Sequence, residues 1–387
     1  MEYIELGKVI RSAKTLRSGD NEYPVLSITK SDGIVLQSEK FKKRIASKDT
    51  EQYKVVQRGQ LVQGIHIDEA NFGIQEIVDA GIVSPAYKIW DVESQLINPK
   101  YLEIILRSPR SIGYYSSKFN GSIKRRERLS DKDFLAMEIP YPTIEEQEFA
   151  VDVIRRASDL INKRKCELEK LDELIKARFV EMFGDPEQNE NGLVTLPMTD
   201  LCEIIDGDRG KNYPKQEEFS EEGFCIFLNA KNVTANGFSF DNCMYITEEK
   251  DRILRKGKLS RGDVVLTTRG TLGNLAYYDE SVPYEHMRIN SGMVILRMKR
   301  ECIEERFFIE QFKMRLTSIK EKIASGSAQP QLPISMMNKI VMLVPDIGEQ
   351  NKFADFVHQI DKSKVAVKKA LDEAQLLFDS LMQKYFG

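Results

Sequence analysis

Histidine is scarce in this sequence: His66, His286 and His358 are the only three in 387 residues. The five cysteines, Cys166, Cys202, Cys225, Cys243 and Cys302, are scattered, odd in number and never spaced C-x-x-C. Together these shortages argue against a zinc site and a disulfide framework, and the thiols read as reduced and partly buried. No apolar run approaches the ~20 residues of a membrane helix. The opening MEYIELGKVIRSAK has no apolar core of signal-peptide length, so a cytoplasmic protein with no membrane contact is expected. A large charge of one sign is missing too: the net is −3, so any surface for a polyanion must be local.

Catalytic signatures are absent in the same way. Ser84 to Tyr87, SPAY, is one residue short of the Ser/Asn-Pro-Pro-Tyr that holds a flipped base in amino-methyltransferases, and no glycine-rich loop after a strand offers a site for S-adenosylmethionine. A Ser-Pro turn at a strand edge is the better reading. Gly207 to Lys211, GDRGK, fails the phosphate-loop spacing and has Asn212 where a hydroxyl is needed, so it reads as a polar loop. With no nucleophile elbow and few histidines for acid–base work, no catalytic residue and no metal ligand is nominated, and a binding protein is favoured.

What the sequence does contain is a phrase written twice. YPTIEEQEFAVDVI, Tyr141 to Ile154, returns as VPDIGEQNKFADFV, Val344 to Val357. Laying Pro345 on Pro142 sets an offset of 203, which also brings Glu349-Gln350 onto Glu146-Gln147 and Phe386-Gly387 onto Phe183-Gly184. Upstream, RGQLV (Arg58 to Val62) falls on RGDVV (Arg261 to Val265), with small insertions expected in between. Each half therefore holds a strand-rich region, with EYPVLSI, QLVQGIHI, GFCIFL and GDVVLTT as strands, leading into a long helical pattern. The fold class expected is α+β, divided at 1–143, 144–184, 185–346 and 347–387, with the second and fourth segments helical.

The helical segments carry a seam of alternating three- and four-residue steps. In the first it runs through Ile154, Ile161, Leu168, Leu171 and Ile175, in the second through Val357, Ile360, Val367, Leu371, Phe378 and Leu381, with Lys364 its one charged position. A single helix cannot bury such a seam, so the two are expected to pair as an antiparallel coiled coil of about 60 Å. Thr143 and Asp346, beside Pro142 and Pro345, are the expected helix caps.

Two clusters could meet phosphates. KFNGSIKRRER carries Lys118, Lys124, Arg125, Arg126 and Arg128 against the single acid Glu127, and KDRILRKGKLSRGD, Lys250 to Asp263, is similarly cationic. Arg209 and Lys211 could face a backbone as well. For reading base edges, which takes donors and acceptors on short positioned side chains, the loops LNAKNVTANG and LTTRGTLGN offer Asn229, Lys231, Asn232, Thr268 and Arg269.

RGDVVLTTRGTLG (Arg261 to Gly273), GSAQPQLPISMMNKIVMLVP (Gly326 to Pro345) with GEQNKFADFV after it, and ARFVEMFGDP (Ala177 to Pro186) complete a pattern. In their order and duplication these residues resemble the specificity subunit of type I restriction–modification systems across essentially the whole chain. The resemblance implies two target recognition domains, each reading one half of a bipartite site in double-stranded DNA, and helices that set the spacing and dock methyltransferase subunits, two of them expected. It implies no catalytic residue and no cofactor in this chain: S-adenosylmethionine, and ATP with magnesium, belong to modification and restriction or translocase partners. The first half departs from the pattern, since RGQLVQGIHIDEANFG lacks the Thr-Arg-Gly-Thr stretch and GSIKRRERL is two residues longer than GSAQPQL. A stand-alone adenine methyltransferase and a coiled-coil interaction scaffold are the alternative readings.

Overall fold

The computed structural model describes residues 2–30, 32–40, 50–118, 129–324 and 331–387. The chain forms two compact units, one of Met1–Lys165 with Lys369–Gly387, the other of Cys166–Lys368.

In the first unit a four-stranded antiparallel sheet runs in the order Ile10–Ser12, Lys88–Val92, Leu61–Gln63, Phe72–Ile74. Two further antiparallel pairs, the hairpin Leu26–Thr29 with Gly33–Leu36 and the more distant Lys54–Gln57 with Ala80–Val83, accompany it. Ser84 to Tyr87 is the turn between strands, closed by Tyr87 N–H donating to the Ser84 carbonyl at 3.0 Å. Buried beneath the main sheet, the rings of Phe72, Trp90, Tyr115 and Phe134 lie within 5.5 to 6.3 Å of one another in successive pairs. The Trp90 indole donates to Gln63 Oε1 at 2.8 Å, which satisfies two buried polar groups at once.

The second unit repeats this plan: its four-stranded sheet runs Cys202–Asp206, Met293–Met298, Val264–Thr267, Leu275–Tyr277. Correspondence extends to single residues. Leu61 pairs with Ile74 as Val264 pairs with Tyr277, and the following turn is closed by Gly64 N–H to Asn71 in one unit and Thr267 N–H to Asn274 in the other, all at the offset of 203. Gly59 and Gly262 both take the left-handed backbone, at φ +85 and +92, that lets the chain turn into this hairpin. Insertions between the repeats therefore lie outside it. The stretch QLVQGIHI differs from its expected form: the strand ends at Gln63, because the chain must turn at Gly64 to bring Asn71 alongside, and Ile67–Glu69 is a short 3-10 turn.

Both long helices, Ile144–Phe183 and Ile347–Phe386, run for 40 residues. Thr143 caps the first through a capping box, Glu146 N–H donating to Thr143 Oγ1 at 3.3 Å and Thr143 N–H to Glu146 Oε2 at 2.9 Å. Asp346 begins the second, its Oδ1 accepting Gly348 N–H at 2.8 Å.

The repeated glutamine explains the doubled phrase. Gln147 is fully buried; its Oε1 accepts the backbone N–H of Asn98 at 2.8 Å and its amide donates to the Pro142 carbonyl at 2.9 Å. Gln350, also fully buried, accepts from Glu304 N–H at 3.0 Å and donates to the carbonyls of Pro345 at 2.8 Å and Cys302 at 3.1 Å. Asn98 and Glu304 immediately precede the helices Pro99–Leu106 and Glu305–Ala324. In each unit one side chain thus fastens the start of a packed helix to the start of a long one.

In the first unit Ala150 and Ile154, early in the first long helix, share an apolar cluster with Phe378, Leu381 and Phe386, late in the second. In the second unit Ile175, Phe179 and Phe183, late in the first helix, pack with Phe353, Val357 and Ile360, early in the second. Start meets end in one unit and end meets start in the other, which is antiparallel pairing. None of the named seam positions from Ile154 to Ile175 or from Val357 to Leu381 is exposed. Lys364, the charged seam position, sets its Nζ 2.6 Å from Asp172 Oδ1 on the facing helix.

Candidate nucleic-acid interface

In the second unit three loops meet at one end of the four-stranded sheet. The tip Thr267–Asn274 is held from within: the Thr267 hydroxyl donates to the Thr271 carbonyl at 2.5 Å and accepts Asn274 N–H at 2.9 Å, while the Thr268 hydroxyl donates to the Gly292 carbonyl at 3.0 Å. Two further bonds tie the tip sideways, Thr271 Oγ1 to the Ala230 carbonyl at 3.3 Å and the Asn274 amide to the Val233 carbonyl at 3.0 Å. Every threonine of the Thr-Thr-Arg-Gly-Thr stretch is therefore used to hold the loop. Arg269, at its crown, is exposed and has no hydrogen-bond or ion-pair partner among the described residues.

The neighbouring loop is knotted by its asparagines. Asn232 is 1% exposed, its Oδ1 accepting Asn229 N–H at 3.0 Å and its amide donating to the carbonyls of Ser239 and Asn242, both at 3.1 Å. Asn229 Oδ1 accepts Lys231 N–H at 2.9 Å. Asn229 and Asn232 thus present Lys231, which is exposed, as Thr267 and Thr268 present Arg269. The third loop carries Arg209, which bonds Asp206 Oδ1 at 3.1 Å and the Ser291 carbonyl at 3.3 Å, and exposed Lys211. It turns at Gly207, where a Cβ would come within 2.3 Å of the Asn290 carbonyl, so only glycine fits there. Asp206, Arg209, Thr268, Arg269, Val294 and Gln331–Ser335 line a cleft of about 280 Å³.

The cationic stretch Lys250 to Asp263 is largely satisfied within the fold. Lys250 pairs with Glu218 at 2.7 Å, Arg252 with Glu248 at 2.6 Å and Lys258 with Asp251 at 2.7 Å. Arg261 lies 4.1 Å from the Tyr278 ring and donates to the carbonyls of Asp279 and Val282. Arg288, 4% exposed, clamps this stretch through Asp251 Oδ1 at 2.5 Å and the carbonyls of Lys256 and Leu254. Burial pushes the Asp251 carboxyl up, but the hydrogen bonds from Lys258 and Arg288 outweigh it and hold the group below the ordinary carboxylate range.

In the first unit Lys118 is exposed at the end of the helix Pro109–Lys118, 5.8 Å from the Tyr114 ring. Lys124, Arg125, Arg126 and Arg128 lie outside the described residues. Sequence reasoning nominated no residue on the hairpin of the first unit that matches Thr267–Asn274; the signal lay in the offset of 203, which holds without a gap from Gly59 to Ile74.

Among the described residues no group of histidine, cysteine and carboxylate side chains could hold a metal ion, and no helix is long and apolar enough to cross a membrane. What the geometry offers is a rigid platform that presents long cations, suited to phosphates and to the acceptor edges of guanine.

Residues 191–375 match the family model described as Type I restriction modification DNA specificity domain. The type I restriction enzyme MjaVIII specificity subunit of Methanocaldococcus jannaschii is 24% identical over 333 residues, 78% of this chain and 74% of the relative. The MjaIX specificity subunit of the same organism is 22% identical over 262 residues, 64% of this chain and 59% of that relative. A solved type I restriction–modification S subunit from M. genitalium shares the fold at a TM-score of 0.57 and 15% identity, covering 100% of this chain and 96% of that one. A chain from a structure of type I restriction–modification complex assembly and conformational transition does so at 0.57 and 16%, covering 100% and 97%. With a duplicated strand-rich unit, a long helix closing each copy and a specificity domain matched over residues 191–375, this chain is similar to type I restriction–modification specificity subunits.

Proposed function

We propose that each unit reads one half of a bipartite site in duplex DNA, the second unit through Arg269 and Lys231, with Arg209 and Lys211 toward the phosphates. The observation that carries this reading is the presentation of Arg269: threonine hydroxyls and backbone bonds hold the loop, and the guanidinium alone is left to bond outward. A preorganised loop loses little backbone entropy on binding, and arginine pairs bidentately with guanine in the major groove. As a DNA-specificity subunit the chain selects sequence, and catalysis belongs to other subunits. S-adenosylmethionine, and ATP with magnesium, would act in those partners, in the cytoplasm.

We assign the spacing of the half-sites to the paired long helices, each of which contributes residues to both units. The same helices are the proposed dock for two methyltransferase subunits, and for restriction subunits where the complex has them. Large apolar side chains left exposed along them support this: Phe149, Leu376 and Leu377 in the first unit, Leu174 and Val365 in the second.

The test is a methylation map of DNA from cells carrying the methyltransferase subunit with and without this chain. A split motif methylated only in its presence is expected; no difference, with partner expression confirmed, would leave an interaction scaffold as the better reading. Inserting seven residues after Lys165 and seven after Lys368 keeps the seam in phase and adds about 10 Å. The untouched spacer should then lengthen by roughly three base pairs, at about 3.4 Å each. An unchanged spacer would refute the role of the helices as a ruler.

A further inference from the structure

The hairpin of the first unit that corresponds to Thr267–Asn274 is Gly64–Asn71, and the turn-closing hydrogen bonds fix the equivalence residue by residue. Ile65 stands where Thr268 does, His66 where Arg269 does and Ala70 where Gly273 does. Ala70 takes the left-handed backbone, φ +57, at the place where Gly273 has φ +89. Among the described residues only Asn189 is another non-glycine with positive φ. A side chain held in that region is strained, so the turn is enforced by its surroundings. Ile65 is 59% exposed, and His66 is exposed with no side-chain partner among the described residues.

A second equivalence comes from the strand beside this hairpin. Ser12 pairs with Trp90 as Ile204 pairs with Leu296. Five residues beyond Ser12 is Arg17, and five beyond Ile204 is Arg209. Two residues before Leu296 is Val294, a wall of the cleft in the second unit; its counterpart before Trp90 is Lys88. The first unit adds Lys54, which bridges to Arg17 across a short β contact and donates its Nζ to the Tyr87 carbonyl at 2.6 Å. The bridge to Arg17 and the bond to the residue before Lys88 bring the three cations together, and Lys54 is held below the ordinary lysine range, chiefly by burial and then by repulsion from Lys88 and Arg17. Against them the described residues set one paired acid, Asp131, bonded to Lys88.

We propose that Arg17, Lys54 and Lys88 hold the phosphate backbone of the half-site read by the first unit, and that His66 at the hairpin tip reads a base edge there. The proposal rests on the chain's reading of bipartite duplex DNA and names the residues with which the first unit does it. Lys54 is repelled by Lys88 and Arg17, and the one acid facing them, Asp131, is paired with Lys88, so a polyanion shared by the three adds the negative charge that this surface has little of. An imidazole beside exposed Ile65 offers a donor or acceptor next to an apolar contact for a thymine methyl.

The experiment uses the full chain in complex with its methyltransferase subunit. His66→Ala should relax one base pair of one half-site, by roughly ten-fold or more in discrimination, and leave the other half intact. Arg17→Gln with Lys88→Gln should weaken binding to all sequences alike and flatten the plot of log affinity against log salt by about 1.8, roughly 0.9 for each phosphate no longer neutralised. Arg269→Ala should alter only the other half-site. The proposal is overturned if His66→Ala leaves both half-sites unchanged, or if the double variant, melting as the parent does, keeps the parent's salt slope. Should the double variant melt early, Arg17→Gln alone decides, since Arg17 is exposed: a slope flatter by about 0.9 supports the proposal and an unchanged one refutes it. Failure of the functional reading would look different: the unaltered chain would direct no split motif at all.

Discussion

Replacing Gln350 by alanine removes three hydrogen bonds at a site with no solvent access. The Glu304 N–H and the carbonyls of Pro345 and Cys302 would be left buried without partners, at about 1 to 3 kcal/mol for each group that water does not rescue. Partial relaxation brings the expected total to roughly 3 to 5 kcal/mol. Gln147→Ala, with two such bonds, should cost about 2 to 3 kcal/mol. The glutamate variant separates hydrogen bonding from shape. Gln350→Glu keeps the acceptor for Glu304 N–H but has no N–H for the two carbonyls, and it buries a charge. Its folded carboxyl is therefore raised above its unfolded value, so its stability is greatest in acid and is lost as pH rises through the folded pKa. Urea unfolding measures all of this. Trp90, the single tryptophan, lies in the first unit, so its fluorescence follows that unit while far-ultraviolet circular dichroism follows both. Gln147→Ala should shift the fluorescence transition and Gln350→Ala should not. A Gln350→Ala cost below about 1 kcal/mol, or an equal shift of the Trp90 signal in both variants, would refute the latch.

Two other outcomes follow from burial in the same regions. Glu304 is pushed up to about 7, mainly by burial, and its folded form holds a proton that the unfolded chain releases at lower pH. Stability of the second unit should therefore fall as pH rises from about 4.5 to 7, with a slope of up to about 1.4 kcal/mol per pH unit from this group, and Glu304→Gln should abolish that component in pH-dependent melts. The Tyr101 hydroxyl is buried with no partner among the described residues, and burial raises its pKa. Tyr101→Phe should therefore leave the first unit as stable or up to about 1 kcal/mol more so, read by Trp90 fluorescence; a loss of more than about 1 kcal/mol would mean that the hydroxyl is bonded.

The features legible in the sequence are those that local physics controls. A three-four spacing of apolar residues has one helical solution, a capping residue acts within one turn, and an ungapped offset of 203 between two Pro-x-x-x-Glu-Gln phrases requires two similar units. Those rules account for the long helices, their antiparallel seam and the doubling of the strand-rich unit. Tertiary structure alone decided which polar side chains are free. Thr268 and Asn232 have the right chemistry to read a base, yet carbonyls of Gly292, Ser239 and Asn242 take their hydrogen bonds. Lys250 and Arg261 belong to a cationic stretch but answer Glu218, Tyr278 and nearby carbonyls, while Arg269 answers none among the described residues. Such partners lie many residues away, and no spacing rule encodes them. Likewise the sequence shows that Gln147 and Gln350 recur, but only the folded chain brings Asn98 and Glu304, 49 and 46 residues distant, within reach of their amides.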